Sequence, residues 1–218
     1  MNNKSAVIRQ IKEIGVIPVI RANSSDEAMR AIDAIRAGGV STMEITMTVP
    51  GAVKVMEDVA KRYGAEVLVG AGTVLDAETA RICILSGAQF VISPAFNPET
   101  VSLCKKYGIV VMPGALTPTE VVQAWTAGAD FVKVFPAGAL GGASYIKSLK
   151  APLPQIELIP TGGVSLKTAA DFIKAGAGAL GIGADLVDLE ALRNGQDDLI
   201  TERARRYVEI VKEARQTL

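Results

Sequence analysis

The chain contains no histidine. That absence removes Ser-His-Asp triads, histidine general bases and histidine-ligated metal sites from the mechanisms open to it. Cysteine is scarce: only Cys83 and Cys104 are present, in no metal-type spacing. A core of this size needs no disulfide staple, which suits a reducing compartment, and the plainer reading of the pair is two small buried residues. Excess charge of either sign is also missing, since Lys plus Arg and Asp plus Glu both total 23. Nothing then draws in nucleic acid or an anionic membrane, and a small-molecule partner is expected. No charge-free apolar run reaches the roughly 18 residues of a membrane span. The opening MNNKSAVIRQIKEIG mixes charges among apolar positions at helical spacing, unlike a signal peptide, so a cytoplasmic protein is expected.

What is present is a long apolar repertoire. The 218 residues are 49% hydrophobic, enough for one large core and short for two, so residues 1–218 are expected to form a single domain. Eight β-rich runs recur: IPVIR (17–21), TMEITM (42–47), EVLVGAG (66–72), QFVISPA (89–95), IVVMPGA (109–115), DFVKVFPA (130–137), IELIPTGG (156–163) and ALGIGA (179–184). Segments with helical periodicity lie between them, opened by Ser25, Asp76, Asn97 or Ser165 and closed by glycines such as Gly39, Gly64, Gly87 and Gly176. The phrases AGGVSTMEI, SGAQFVIS, AGADFVKV and AGAGALGIG repeat one helix–turn–strand unit. Eight alternating elements with near-continuous apolar strands fit an α/β fold of the (β/α)8 TIM-barrel type, and an open doubly wound sheet is the alternative. An extra N-terminal helix at about 4–14 and a final amphipathic helix at about 197–217 fall outside the repeats.

In such barrels chemistry sits at the C-terminal ends of the strands. Arg21, Glu44, Thr46, Thr73, Pro94, Gly114, Lys133, Thr161 and Gly183 all fall at or near those ends. Lys133 shares its parity with Phe131 and Phe135, whereas Val132 and Val134 point the other way, so its amine faces inward. Burial disfavours a lysine's charged form and frees a neutral amine to attack a ketone; the alternative is an internal salt bridge. Glu44 shares a face with Thr42 and Thr46 and also points inward, either as the ion partner of Lys133 or as a proton-transfer group. The PTGGVS stretch at the seventh strand's end and GIGAD after the eighth offer backbone N–H groups for an anion, although a glycine pair also occurs in ordinary turns.

EITMT (44–48), VGAGTV (69–74), ISPAF (92–96), MPGALTPTE (112–120), KVFPA (133–137) and PTGGV (160–164) closely resemble the 2-keto-3-deoxy-6-phosphogluconate and 4-hydroxy-2-oxoglutarate aldolase family, over nearly the whole chain. The resemblance implies a class I mechanism without metal or cofactor, with Lys133 as Schiff-base lysine and Glu44 as general acid/base. It implies a keto-acid substrate and a homotrimer. Thr73 and Thr161 resemble substrate-contacting positions, Pro94 and Phe135 resemble pocket walls, and Gly162, Gly163, Gly183 and position 184 are expected to hold phosphate. Two positions depart from the pattern. Thr48 stands where some members carry an arginine, leaving Arg21 as candidate partner of the substrate carboxylate unless it is a plain surface residue. Ala184 stands where relatives often offer a serine. Three rival readings remain open: the same chemistry on another acid, such as the 6-phosphogalactonate epimer or unphosphorylated 4-hydroxy-2-oxoglutarate; a phosphate-binding barrel isomerase without a covalent step; and a non-catalytic binding protein.

Overall fold

A computed structural model describes residues 3–217. The chain enters through α1 (Lys4–Ile14) and then alternates strands and helices. These are β1 (Val16–Ile20), α2 (Ser25–Ala37), β2 (Thr42–Thr46), α3 (Ala52–Tyr63), β3 (Leu68–Gly72), α4 (Ala77–Leu85), β4 (Phe90–Ile92) and α5 (Pro98–Lys106). They continue as β5 (Val110–Met112), β6 (Gly114–Ala115), α6 (Pro118–Ala127), β7 (Val132–Val134), α7 (Ala143–Lys150), β8 (Leu158–Pro160), α8 (Ala169–Lys174) and β9 (Leu180–Ile182). Helices α9 (Leu189–Arg193) and α10 (Asp197–Gln216) finish the chain, and α10 packs back on α2 and α8. The two helices expected outside the repeats match α1 and α10.

Local chemistry explains several boundaries. Asp76 and Asn97 cap α4 and α5 as expected, accepting from Thr79 and Thr100. The cap of α2 is Ser24, one residue before the expected Ser25. Helix α6 starts on a capping box, with Thr117 and Glu120 each taking the other's backbone N–H. Ser165 opens a turn, not a helix: Thr168 Oγ1 accepts from its N–H at 2.9 Å, and α8 begins only at Ala169.

All strand pairs are parallel, and the sheet curls, but it is not one uninterrupted eight-stranded ring. Six strands run in the order β5-β4-β3-β2-β1-β9 and three in the order β6-β7-β8. Proline sits at both breaks. Pro113 separates β5 from β6 and has no N–H to give to a ladder. The N–H of Thr161 goes to Val134 on β7, so position 160 faces β9, and Pro160 supplies no donor there. Only the isolated bridges Leu158–Ala177 and Thr161–Gly181 join β8 to the β9 side.

Two apolar clusters follow from strand alternation. The outer one, between strands and helices, takes Val132, Val134, Ile45 and Val69. The inner one takes Ile17, Leu68, Phe90, Ile92, Phe131 and Ile159, and is plugged from below by Val7 and Ile11 of α1. Each fully buried side chain of this kind contributes roughly 1.5–3 kcal/mol. A Cβ on Gly70 would overlap the Phe90 ring, so this glycine makes room for an inner aromatic.

Candidate functional site

Directly above the inner apolar cluster stand the two charged side chains that alternation sends inward. Glu44 lies on β2 and Lys133 on β7, strands of different sheets, yet Lys133 Nζ comes within 3.6 Å of Glu44 Oε1. They are 3% and 1% exposed, so bulk water does not screen the pair. The separation is too long for a good hydrogen bond, and Glu44 Oε1 has no hydrogen-bond partner among the described residues. Such a buried carboxylate oxygen is costly unless something meets it. The Phe135 ring lies 5.4 Å from Lys133 Nζ and supplies a cation–π face.

The surroundings are cut to fit. A Cβ on Gly72 would overlap the Glu44 carboxylate, and one on Gly181 would overlap Thr161 Oγ1. Thr46 fixes the end of β2, donating its hydroxyl to Ile20 O at 2.9 Å and touching Thr48 Oγ1 at 2.7 Å. Thr73 is the only non-glycine residue with positive φ among the described residues, at 57°. Such backbone strain is characteristic of functional loops.

Two hollows result. The inner one is lined by Glu44, Lys133, Thr161, Met112, Ile92 and Gly181. The outer one is bounded by Arg21, Phe135, Gly162, Gly163, Gly183 and Asp185, with Ala184 also on its wall. Thr161 belongs to both and joins them. Of the residues expected from sequence, Lys133, Glu44 and Thr161 thus meet in one place, and Arg21, Phe135 and the residues expected to hold phosphate meet next door. Thr73 and Pro94 stand at the ends of β3 and β4 but do not line either hollow. Gly162 and Gly163 adopt positive φ (83° and 81°) and approach Gly138, whose N–H donates to Gly162 O at 2.9 Å.

Asp185 is the residue that sequence reading passed over. It is the last letter of GIGAD, in a loop beyond β9 where no strand or helix periodicity points to a carboxylate. Its Oδ2 accepts from Leu166 N–H at 3.3 Å and from the Tyr207 hydroxyl. Tyr207 is fully buried, and burial together with the Asp185 charge raises its phenol above the ordinary range. Among the described residues no group of three or more His, Cys, Asp or Glu side chains is placed to hold a metal ion, and no helix is long and apolar enough to cross a membrane.

Residues 7–203 match the family model described as KDPG and KHG aldolase. The chain is 31% identical over 205 residues to the 2-dehydro-3-deoxy-phosphogluconate aldolase of Treponema pallidum, covering 94% of this chain and 97% of that protein. It is 34% identical over 204 residues to the 2-dehydro-3-deoxy-6-phosphogalactonate aldolase of Escherichia coli, covering 93% and 97%. Among solved structures, the KDPG aldolase of Legionella pneumophila, with pyruvate captured at low pH as a covalent carbinolamine intermediate, superposes with a TM-score of 0.84 at 30% identity, covering 94% of this chain and 97% of that one.

Proposed function

The chain belongs to the KDPG and KHG aldolase family and is an aldolase, an aldehyde-lyase, and from that premise we propose that it cleaves 2-keto-3-deoxy acids through a Schiff base on Lys133. The observation that carries this reading is the dry Lys133–Glu44 pair, a nucleophile and a proton-transfer group 3.6 Å apart. For 2-keto-3-deoxy-6-phosphogluconate the products are pyruvate and glyceraldehyde 3-phosphate; for 4-hydroxy-2-oxoglutarate they are pyruvate and glyoxylate. The neutral Lys133 amine adds to the C2 ketone to give a carbinolamine, and Glu44 assists loss of water to the iminium. The iminium is the electron sink. Glu44, whose Oε1 is not committed to any hydrogen bond, then takes the C4 hydroxyl proton. The C3–C4 bond breaks, its electron pair moves to the enamine, and the aldehyde leaves. Protonation at C3 and hydrolysis release pyruvate and restore Lys133.

Arg21, the only cation among the described residues lining the outer hollow, is assigned to the substrate carboxylate, since Thr48 carries no charge. Thr161, Phe135, Thr73 and Pro94 are assigned to substrate contact, and Gly162, Gly163, Gly183 and Ala184 to the far end of the substrate. We read the nine strand segments as a closed eight-stranded (β/α)8 barrel in which β5 and β6 form one strand broken at Pro113; the meeting of β2 and β7 side chains supports this. Residues 1–218 are read as one domain, supported by α10 packing back on α2. The homotrimer that the family resemblance implies is proposed here too, and the exposed apolar side chains Leu75, Ile82, Leu85 and Trp125 on and beside α4 and α6 support a contact between copies of the chain. A cytoplasmic location is proposed, supported by the free, buried thiols of Cys83 and Cys104. The decisive experiment is intact-mass analysis after pyruvate and borohydride: a single adduct is expected on the wild type and none on Lys133→Ala. Sedimentation tests the trimer.

A further inference from the structure

The turn after β8 is held from the side by the loop after β7. Ala137 N–H donates to Thr161 O, and Gly138 N–H donates to Gly162 O, both at 2.9 Å. In a planar trans peptide the C=O and the N–H that follows it point in opposite directions. These two bonds therefore turn the N–H groups of Gly162 and Gly163 away from the β7 loop, on the side where both residues line the outer hollow. At the end of β9, Gly183 O accepts from Leu186 N–H at 3.0 Å and from Val187 N–H at 2.9 Å, which turns the Ala184 N–H away from α9 in the same manner. Among the described residues no oxygen of the protein accepts from the N–H of Gly162, Gly163 or Ala184. Successive uncommitted backbone donors of this kind, lining one hollow, suit an oxyanion.

The contact between the two loops leaves no room for a side chain. A Cβ on Gly138 would stand 2.9 Å from Gly163 Cα and 3.2 Å from Gly162 O, main-chain atoms that cannot swing aside. From the other side, a Cβ on Gly163 would stand 2.7 Å from Gly138 Cα. The β7 loop is braced on its own account, since Gly138 O accepts from Gly141 N–H at 3.3 Å and Ala137 O from Gly142 N–H at 3.1 Å. Gly138 itself lines neither hollow. We propose that Gly138 is a positioning residue: packed on Gly163 and holding the Gly162 carbonyl, it aims the Gly162 and Gly163 N–H groups at a phosphate monoester on the far end of the substrate, without touching that phosphate. This rests on the Lys133 Schiff-base reading and adds which part of the chain sets the grip on a phosphorylated acid. The strand that carries Lys133 thus runs out into the loop that shapes the far-end turn.

The test is the split between KM and kcat for 2-keto-3-deoxy-6-phosphogluconate in the wild type and Gly138→Ala, with pyruvate–borohydride trapping run in parallel as a reaction that needs no phosphate. The variant is expected to raise KM about 10- to 100-fold, as for misplaced hydrogen bonds to a charged group, with kcat changed little and the trapping rate unchanged. Inorganic phosphate is expected to compete with the phosphorylated acid, and its inhibition constant is expected to rise by the same factor in the variant. Should Gly138→Ala fail to fold, replacing the Gly138 amide by an ester removes the N–H and adds no bulk, and is expected to raise KM about fivefold. A KM that neither variant moves, or a trapping rate that falls as far as kcat/KM does, overturns the assignment of Gly138. A wild type that traps pyruvate but is not inhibited by phosphate overturns the far-end anion site on which the assignment depends. A wild type that traps no pyruvate overturns the Schiff-base reading instead.

Discussion

The two hollows hold the same pair of charges and differ in how much water reaches them. Inside, Lys133 and Glu44 are 3% and 1% exposed and sit on an apolar floor. Outside, Arg21 and Asp185 are exposed at the ends of β1 and β9, joined to the inner site through Thr161, which lines both hollows, and through the Phe135 ring 5.4 Å from Lys133 Nζ. Burial turns the first pair into chemistry, because neither group can be left charged alone without a large penalty. Exposure restricts the second pair to steering and selection, since water screens each charge almost completely.

The strongest way to break that contrast is to remove the inner amine. Lys133→Ala is expected to abolish the pyruvate adduct and lower kcat by at least about 10^4-fold. It also strands Glu44 as a buried unpaired charge, costing about 3–5 kcal/mol in urea unfolding, whereas Lys133→Met with Glu44→Gln recovers most of the loss. A Lys133→Ala protein as stable as the wild type contradicts the pairing. Glu44→Gln is expected to lower kcat by about 10^2–10^4-fold while pyruvate still traps, more slowly, on Lys133. Gly72→Ala pushes a methyl into the Glu44 carboxylate and is expected to lower kcat by up to about 10^2-fold, because misplacement of about 1 Å is felt at the reacting atoms.

The sequence exposed the inner site better than the outer one, for a physical reason. Strand parity alone places Lys133 beside Phe131 and Phe135 and away from Val132 and Val134, and the side chains follow it. Alternation is a short-range rule, so it survives into three dimensions. The sheet breaks at Pro113 and Pro160 were also written in the sequence, but their consequence depends on which neighbour each amide faces. The outer hollow is built from loops, where no periodicity operates. Ser165 has the look of a helix cap but opens a turn, and Asp185 acts through Leu166 and Tyr207, partners 19 and 22 residues away.

A smaller effect is expected where charge meets solvent. Arg21→Ala is expected to raise KM by about 10- to 100-fold with kcat changed little, as for loss of one charge-assisted hydrogen bond to a substrate carboxylate. A fall in kcat equal to that of Glu44→Gln would instead place Arg21 among the groups acting on the reacting atoms.

The smallest effect tests whether the outer hollow is insulated from the inner one. Tyr207→Phe removes the buried hydroxyl that donates to Asp185 and leaves that carboxylate with Leu166 N–H alone. The expected cost is about 1 kcal/mol, or a fall of about 2–4 °C in Tm, with pyruvate trapping on Lys133 unaltered. The pH dependence carries a second signature. Burial first, and then the Asp185 charge, raise the phenol above its ordinary value of 10.0, so the folded protein keeps a proton that the unfolded chain gives up. Stability from this source is complete below pH 10 and drains as the pH climbs beyond it. Burial likewise pushes the Cys83 and Cys104 thiols from 9.0 to about 11 and about 12, so alkaline loss begins near pH 9 in both proteins. Urea midpoints between pH 8 and pH 11 should therefore fall together at first, then less steeply in Tyr207→Phe once the pH passes 10. Should trapping also slow in the variant, the outer loop is holding Thr161 or Lys133 in place, and the two hollows are one site.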